Sequence, residues 1–196
     1  MGKNQKQLRI IAGDDRGRRL VSPRSDRIRP TGGMAREAIF SILADRVPGS
    51  DFLDLYAGTG AVGLEALSRG AQTVTLVEND RDAIAVLREN IGRASHSENC
   101  RLWGATVAAQ CARFVEERRT FDLIFIDPPY NGSGIEIRLL EPILSPNGIL
   151  IHQRPAKWTA ANPFLGTRLV RYDLRRYGKT EISFWTFGEN LEEEIQ

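Results

Sequence analysis

A chain of 196 residues, 41% hydrophobic and 27% charged, is long enough to bury one substantial core and suits a single soluble domain. No stretch approaches the ~20 apolar residues of a membrane span, and the polar start Met1-Gly-Lys-Asn-Gln-Lys-Gln7 lacks the apolar run of a secretory signal, so a cytoplasmic location is expected. Cys100 and Cys111 form no C-x-x-C pair, and His96 and His152 stand without other ligand types at metal spacing, so reduced thiols and no metal are expected.

The net charge of +2 is unevenly spread. Residues 1–46 hold eleven Lys and Arg against five acids, a local +6 that leaves −4 for the remainder. A basic end on a near-neutral chain suits a local anionic partner, although charge alone fits a solvated arginine-rich surface equally well.

Residues 7–22 are predicted to form a β-hairpin. Leu8, Ile10 and Ile11 lie in one strand, Leu20 and Val21 in the other, and Asp14-Asp15-Arg16-Gly17 has turn chemistry. Residues 22–33 are a charged loop with Pro23 and Pro30. A helix over about 34–45 places Ala35, Ala38, Ile39, Ile42 and Leu43 at helical spacing. Pro48-Gly49-Ser50 closes this basic extension, residues 1–50.

From Asp51 strands and helices alternate. Strands are predicted over 52–57, 73–77, 101–103, 121–126 and 149–152, and helices over 61–69, 81–93, 107–118 and 134–144. This is the pattern of an open parallel sheet covered by helices on both faces. Residues 168–175 and 181–187 are two strands joined at Tyr177-Gly178-Lys179, and a tight hairpin is antiparallel. A parallel sheet therefore finishes with one antiparallel strand, in a domain of residues 51–190 followed by an acidic tail, 191–196.

Two segments carry chemistry. The first is Asp54-Leu-Tyr-Ala-Gly58-Thr-Gly60-Ala-Val-Gly63, between the first strand and its helix. Its glycines permit a tight turn and close approach of a ligand to the main chain. Glu78 ends the next strand, where an acid can accept hydrogen bonds from both ribose hydroxyls of an adenosine. Gly58, Gly60 and Gly63 also match the dinucleotide fingerprint literally. However, a carboxylate at Asp54 suits the ammonium of a methionine moiety and suits a pyrophosphate poorly.

The second segment is Asp127-Pro128-Pro129-Tyr130, at the end of the most apolar strand. An exocyclic base amine is a weak nucleophile, because its lone pair is delocalised into the ring. It needs alignment with an electrophilic methyl and acceptors for its N–H bonds. The Asp127 carboxylate and the Pro128 carbonyl can supply the acceptors, and Tyr130 a stacking face.

Asp-Pro-Pro-Tyr resembles the [N/D/S]-P-P-[Y/F/W] motif of class I amino-methyltransferases acting on nucleic-acid bases. Together with Leu8-Arg-Ile-Ile-Ala-Gly13, Arg16-Gly-Arg-Arg-Leu20, Arg29-Pro-Thr31, Arg36-Glu-Ala-Ile-Phe40 and Gly63-Leu-Glu-Ala-Leu-Ser-Arg-Gly70, it makes the chain resemble the RsmD family from about Leu8 to Phe187. The resemblance implies a Rossmann-like, seven-stranded sheet, mostly parallel with an antiparallel last strand, plus an N-terminal β-hairpin and helix. It implies transfer of a methyl group from S-adenosylmethionine to N2 of a guanine in 16S ribosomal RNA, by a monomer acting on that RNA or on the small ribosomal subunit. By position match, Asp54, Tyr56, Gly58, Gly60, Glu78 and Asn79 would line the cofactor site. Asp127, Pro128, Pro129 and Tyr130 would hold the guanine. Arg29, Thr31 and Arg36 would lie near the substrate entrance, and Arg9, Arg16 and Arg18 of the basic hairpin would bind RNA phosphates.

The sequence departs from the family pattern at three places. Gly33 and Met34 stand where an Asp-Arg pair is usual, Gly104-Ala-Thr106 where an Asp or Asn often neighbours adenine, and Gln153-Arg154 where an acid is common. Three other readings share parts of the pattern: an adenine-N6 DNA or RNA methyltransferase, an NAD-dependent oxidoreductase and a non-catalytic RNA-binding module.

Overall fold

The computed structural model describes residues 8–22, 33–129, 137–157, 164 and 166–189. Its strands are β1 (Asp51–Leu55), β2 (Thr73–Glu78), β3 (Cys100–Gly104), β4 (Phe121–Ile126), β5 (Leu144–Pro155), β6 (Leu169–Tyr177) and β7 (Thr180–Phe187). Its helices are α1 (Gly33–Ile42), α2 (Ala61–Ser68), α3 (Arg81–Arg93) and α4 (Val107–Glu116). The seven strands form one sheet in the order β3-β2-β1-β4-β5-β7-β6. The first five pair in parallel. β7 runs antiparallel to both of its neighbours, as expected for the last strand. The hairpin tucks its second arm against β5, so β7 lies inside the sheet and β6 forms the edge.

The central strands are apolar on both faces, as a sheet covered on both sides requires. Phe52 of β1 with Leu123 and Phe125 of β4 joins one cluster, which also holds Ile39, Phe40, Leu64 and Leu67 of α1 and α2. Leu53 and Leu55 with Ile124 and Ile126 join the other, against Phe114 of α4. The chain winds outward from β1 to β3, then crosses back to β4 and β5. The order reverses between β1 and β4, which opens a crevice at their carboxyl ends, where open α/β sheets bind ligands.

The expected N-terminal hairpin is a single antiparallel bridge, Arg9 to Arg19, and not a pair of strands. The reason lies in α2. The two arms exchange main-chain bonds up to Ile10, with the Leu20 N–H donating to the Leu8 carbonyl at 2.9 Å and the Ile10 N–H to the Arg18 carbonyl at 3.0 Å. Beyond it the chain turns onto the helix: the N–H groups of Ile11 and Ala12 donate to the two carboxylate oxygens of Glu65, at 2.8 and 3.0 Å. Ser68 Oγ donates to the Ala12 carbonyl at 2.6 Å, and the Asp14 N–H donates to the Ser68 carbonyl at 2.9 Å. Gly13 sits at φ +82°, so close that a Cβ would lie 1.7 Å from that carbonyl oxygen. Ile10 and Leu20 thereby enter the same cluster as Phe52 and Leu64.

Two further expectations change. The helix expected over 134–144 is, among the described residues, two 3-10 turns, Ile137–Leu139 and Glu141–Ile143. Pro142 lacks the N–H that an α-helix interior needs there. β5 also begins earlier than expected, at Leu144, and Pro146-Asn-Gly148 is an irregularity within its pairing to β4. Among the described residues no helix is long and apolar enough to cross a membrane.

Glu65 is fully buried and pairs with Arg69 at 2.8 Å and with the buried Arg36 at 3.6 Å. Replacing it by Ala strands a buried guanidinium and two main-chain donors. Glu65→Ala is therefore expected to lower unfolding stability by about 3–5 kcal/mol in urea denaturation, with Glu65→Gln falling between it and the wild type. A loss below about 1 kcal/mol would show that the clasp is dispensable.

Candidate active site

The glycine turn is built around one carboxylate. Asp54 sits in β1 with its neighbours Leu53 and Leu55 pointing away into the other core. It is 1% exposed, and its Oδ2 accepts the Gly63 N–H at 2.9 Å. Gly60 caps α2 in the left-handed region, φ +77°, with no side chain to receive that helix's first donors. Asp54 does so from the strand below, within reach of the positive end of the helix dipole. Gly63 has to be glycine for this approach, since a Cβ would lie 2.3 Å from Leu76 Cδ2 and 3.2 Å from Asp54 Oδ2. Burial pushes the Asp54 carboxyl up to about 8; the Gly63 N–H opposes the shift, and the charges of Asp127 and Glu78 add to it.

Tyr56, just past the strand, is held at φ +64°, a conformation costly for an L side chain and frequent where ligands bind. Its ring is half-buried against the second core. Gly58 follows at φ +55° and donates its N–H to Glu78 Oε2 at 2.8 Å. Glu78 Oε1 accepts from the N–H groups of Asn79 and Asp80 at 2.8 and 2.9 Å. The buried Glu78 thus joins the tip of β2 to the glycine turn, while Asn79 is exposed beside it.

Asp127 follows Ile126, which pairs in register with Leu55, so it emerges beside Tyr56 at the reversal of strand order. It is half-buried, as is Pro128; Pro129 is exposed, and Tyr130 lies outside the described residues. Asp127 Oδ2 accepts a hydrogen bond from Gln153 Nε2 at 2.6 Å. Gln153 is buried in β5, one step past the Ile126–His152 register pair. Position 153 is one of the departures from the family pattern noted above, and only the pairing of β4 with β5 reveals what its amide does.

His152 points to the opposite side, edge-on to Phe164 with ring centroids 5.9 Å apart. Burial, then the Arg154 charge, pushes it down to about 4, so it stays neutral. Both thiols are free, and burial pushes them up to about 12, which leaves them inert at neutral pH. Among the described residues no group of three or more His, Cys, Asp or Glu side chains is placed to hold a metal.

The basic N-terminal residues separate. Arg9 and Arg16 are exposed, and Arg18 is part-exposed and paired with the buried Asp15. Arg36, expected near the substrate entrance, is 2% exposed. Its guanidinium is committed to Glu65 and to the Arg9 carbonyl, so it is a core residue and not a surface contact. Arg29 and Thr31 lie outside the described residues. Met34, at a position that departs from the family pattern, is 75% exposed.

Sequence reading also passed over Asn90. It is the third member of a buried stripe on α3, after Ala83 and Leu87, and a polar residue on that stripe was the available signal. Its Oδ1 accepts the Val21 N–H at 2.7 Å, and its Nδ2 donates to the carbonyls of Val21 and Thr59 at 3.0 and 2.9 Å. One amide thus ties the N-terminal segment to the glycine turn.

The sequence matches the family described as Conserved hypothetical protein 95 over residues 8–186. It is 39% identical over 138 residues to the ribosomal RNA small subunit methyltransferase D of Escherichia coli K12, covering 69% of this chain and 67% of that protein. The solved structure of the Escherichia coli protein yhhF superposes with a TM-score of 0.79 at 28% identity, covering 92% of this chain and 98% of that one. A more distant fold neighbour, SMU.776, solved as a complex with SAH, superposes with a TM-score of 0.65 at 19% identity, over 76% of this chain and 48% of its own. The chain belongs to the family described as Conserved hypothetical protein 95, with the ribosomal RNA small subunit methyltransferase D of Escherichia coli among its relatives.

Proposed function

We propose that this protein transfers a methyl group from S-adenosylmethionine to the exocyclic N2 of a guanine in 16S ribosomal RNA of the small subunit. The observation that carries the reading is the placement of two carboxylates, Asp54 and Asp127, on adjacent parallel strands at the reversal of strand order. The ribosomal RNA specificity of the Escherichia coli relative supports the choice of substrate.

The residues present fit the cofactor. Asp54 is a desolvated carboxyl whose charge is suppressed until a cation arrives, and an amino-acid ammonium is such a cation. Glu78, at the tip of β2, can receive ribose hydroxyls on lone pairs beyond those that hold the turn. Tyr56, Gly58, Gly60 and Asn79 complete the lining. When bound, S-adenosylmethionine supplies a sulfonium methyl for attack by the amine.

Asp127 accepts one N–H of the guanine amine, and the Pro128 carbonyl accepts the other. Both stabilise the positive charge that develops on nitrogen, and the proton lost from the amine passes to Asp127. Gln153 anchors one carboxylate oxygen of Asp127 and thereby aims the other. Pro129 stiffens the turn, and Tyr130 stacks on the base, an interaction worth roughly 1–3 kcal/mol. The base has to be unpaired or flipped out to enter. In this reading residues 1–50 grip the RNA through Arg9, Arg16, Arg18, Arg29 and Thr31, and residues 51–190 perform the transfer.

The direct test is methylation of protein-free small-subunit RNA and of intact subunits with labelled cofactor, followed by nuclease digestion and mass spectrometry. N2-methylguanosine is expected; N6-methyladenosine in its place, or no labelled nucleoside, would overturn the reading. Asp127→Ala is expected to lower kcat by about a hundredfold or more while cofactor affinity is kept. Gln153→Leu should cost about tenfold in kcat through misalignment alone. Equal turnover in both variants would remove the carboxylate from the mechanism.

Asp54→Asn separates binding from stability. The folded-state carboxyl, pushed up to about 8, keeps a proton that the unfolded chain loses near 3.8. Its contribution to stability therefore falls as pH rises across that window and is least favourable above pH 8. Asp54→Asn should weaken cofactor binding about a hundredfold in calorimetry. It should also raise the melting temperature of the ligand-free protein at pH 8 more than at pH 5, by about 2–4 °C per kcal/mol recovered. A lower melting temperature at pH 8 would contradict the assigned state of Asp54.

A further inference from the structure

The basic N-terminal segment docks on α2 and α3, which cover the β1–β2–β3 half of the sheet. A strand of RNA presenting a base to the β1–β4 crevice must also leave over the other half. That half carries its own cations. Residues 154–181 hold seven Lys and Arg against two acids, Asp173 and Glu181, a local +5 on a chain whose net charge is +2.

Strand register shows where these cations stand. Gln153, which holds Asp127, pairs with Ile182, and Ile182 pairs with Arg175. In the next row outward Arg154 pairs with Glu181, and Glu181 with Arg176. The buried Glu181 carboxylate receives both guanidiniums, so that row keeps a net positive charge. Beyond it the Ala156 N–H donates to the Lys179 carbonyl at 2.8 Å, which closes the hairpin tip against the end of β5 and sets Lys157 beside Lys179. Lys157, Arg175, Arg176 and Lys179 are all exposed; Arg175 pairs with Asp173 at 3.0 Å, as Arg176 does with Glu181, and Asp173 is already counted in the local +5. Strands lie about 4.8 Å apart, so β6 stands roughly 14 Å across the sheet from β4, on the same tip-side rim as Asp127.

We propose that the tip of the β6–β7 hairpin, with Lys157, Arg175, Arg176 and Lys179, is a second phosphate-binding rim. It holds the RNA backbone on the side of the crevice opposite the N-terminal segment. Charges on an edge strand also discourage strand pairing, but that role is served by either sign. Here the exposed charge is almost wholly positive and lies at the catalytic end of the strands. Phosphate contacts on both flanks set the register of the strand and leave base choice to the crevice. The inference rests on the RNA-substrate reading above.

The test uses the full chain carrying K157Q, R175Q and K179Q together, with K157R, R175K and K179R as the charge-conserving control. Methylation of small-subunit RNA is measured over a range of salt, and binding of the same RNA is followed separately by fluorescence anisotropy without cofactor. In the neutralised variant KM for RNA should rise about tenfold at moderate salt, with kcat changed far less. The slope of log affinity against log salt should shrink by about 2, from about 0.7 per lost contact with single-stranded phosphates. The charge-conserving variant should match the wild type. Unchanged KM and salt slope in the neutralised variant would overturn the rim and leave the proposed reaction standing. Hairpin-dependent RNA binding without any methyl transfer would overturn the reaction and keep the rim. Equal weakening in both triple variants would point to packing in place of charge, and would also overturn it.

Discussion

One buried contact organises this molecule: the carboxylate of Asp54, in β1, receiving the third N–H of the helix that follows it. Helices ordinarily take such a cap from their own flanking residue. Here that residue is Gly60, whose left-handed backbone makes the turn but which offers no acceptor. The strand supplies it, and the helix descends onto the sheet until only a glycine fits at position 63. The tightness of the turn and the desolvation of the acid have the same cause. A carboxyl kept largely uncharged in the free protein is an unstable arrangement by itself and a suitable one for receiving a cation.

The second carboxylate shows the opposite strategy. Asp127 stands at the rim, half exposed, and is steadied by a neutral amide from the neighbouring strand. An amide donor at Gln153 holds the oxygen without adding charge, whereas an acid there would compete for the same proton. The two acids differ in burial and partners, and the difference suits the two tasks proposed for them: capturing a cation and accepting N–H bonds from a weak nucleophile. Their adjacency follows from topology, because β1 and β4 are the strands between which the winding direction changes.

Much of this was legible in the residues. The apolar strands, the glycine turn, the amphipathic helices and the C-terminal hairpin obey local periodicities, and local periodicity survives in one dimension. What escaped depends on partners distant in sequence. Nothing local to Glu65 and Ser68 marks them as partners of the N-terminal segment, yet they bond to the main chain of Ile11, Ala12 and Asp15 across more than fifty residues. Arg36 reads as a surface cation, and only the presence of Glu65 across the core makes its burial affordable. Asn90 and Gln153 are single amides whose partners lie at Val21 and Thr59, and at Asp127. The charge asymmetry at the N-terminus was visible, while the comparable excess around the last hairpin was masked by averaging over a long, otherwise acidic remainder.

The claim on which the account turns is that Asp54 surrenders a proton when the cofactor's ammonium arrives. Calorimetric titration of the wild-type protein with S-adenosylmethionine, repeated at pH 6.5 in buffers of different ionisation enthalpy, counts that proton. Release of about one proton per cofactor bound, declining above pH 8, is the predicted result. Binding with no proton released at pH 6.5 would mean that the carboxylate under the glycine turn is already charged, and the explanation of the site built on its burial would be wrong.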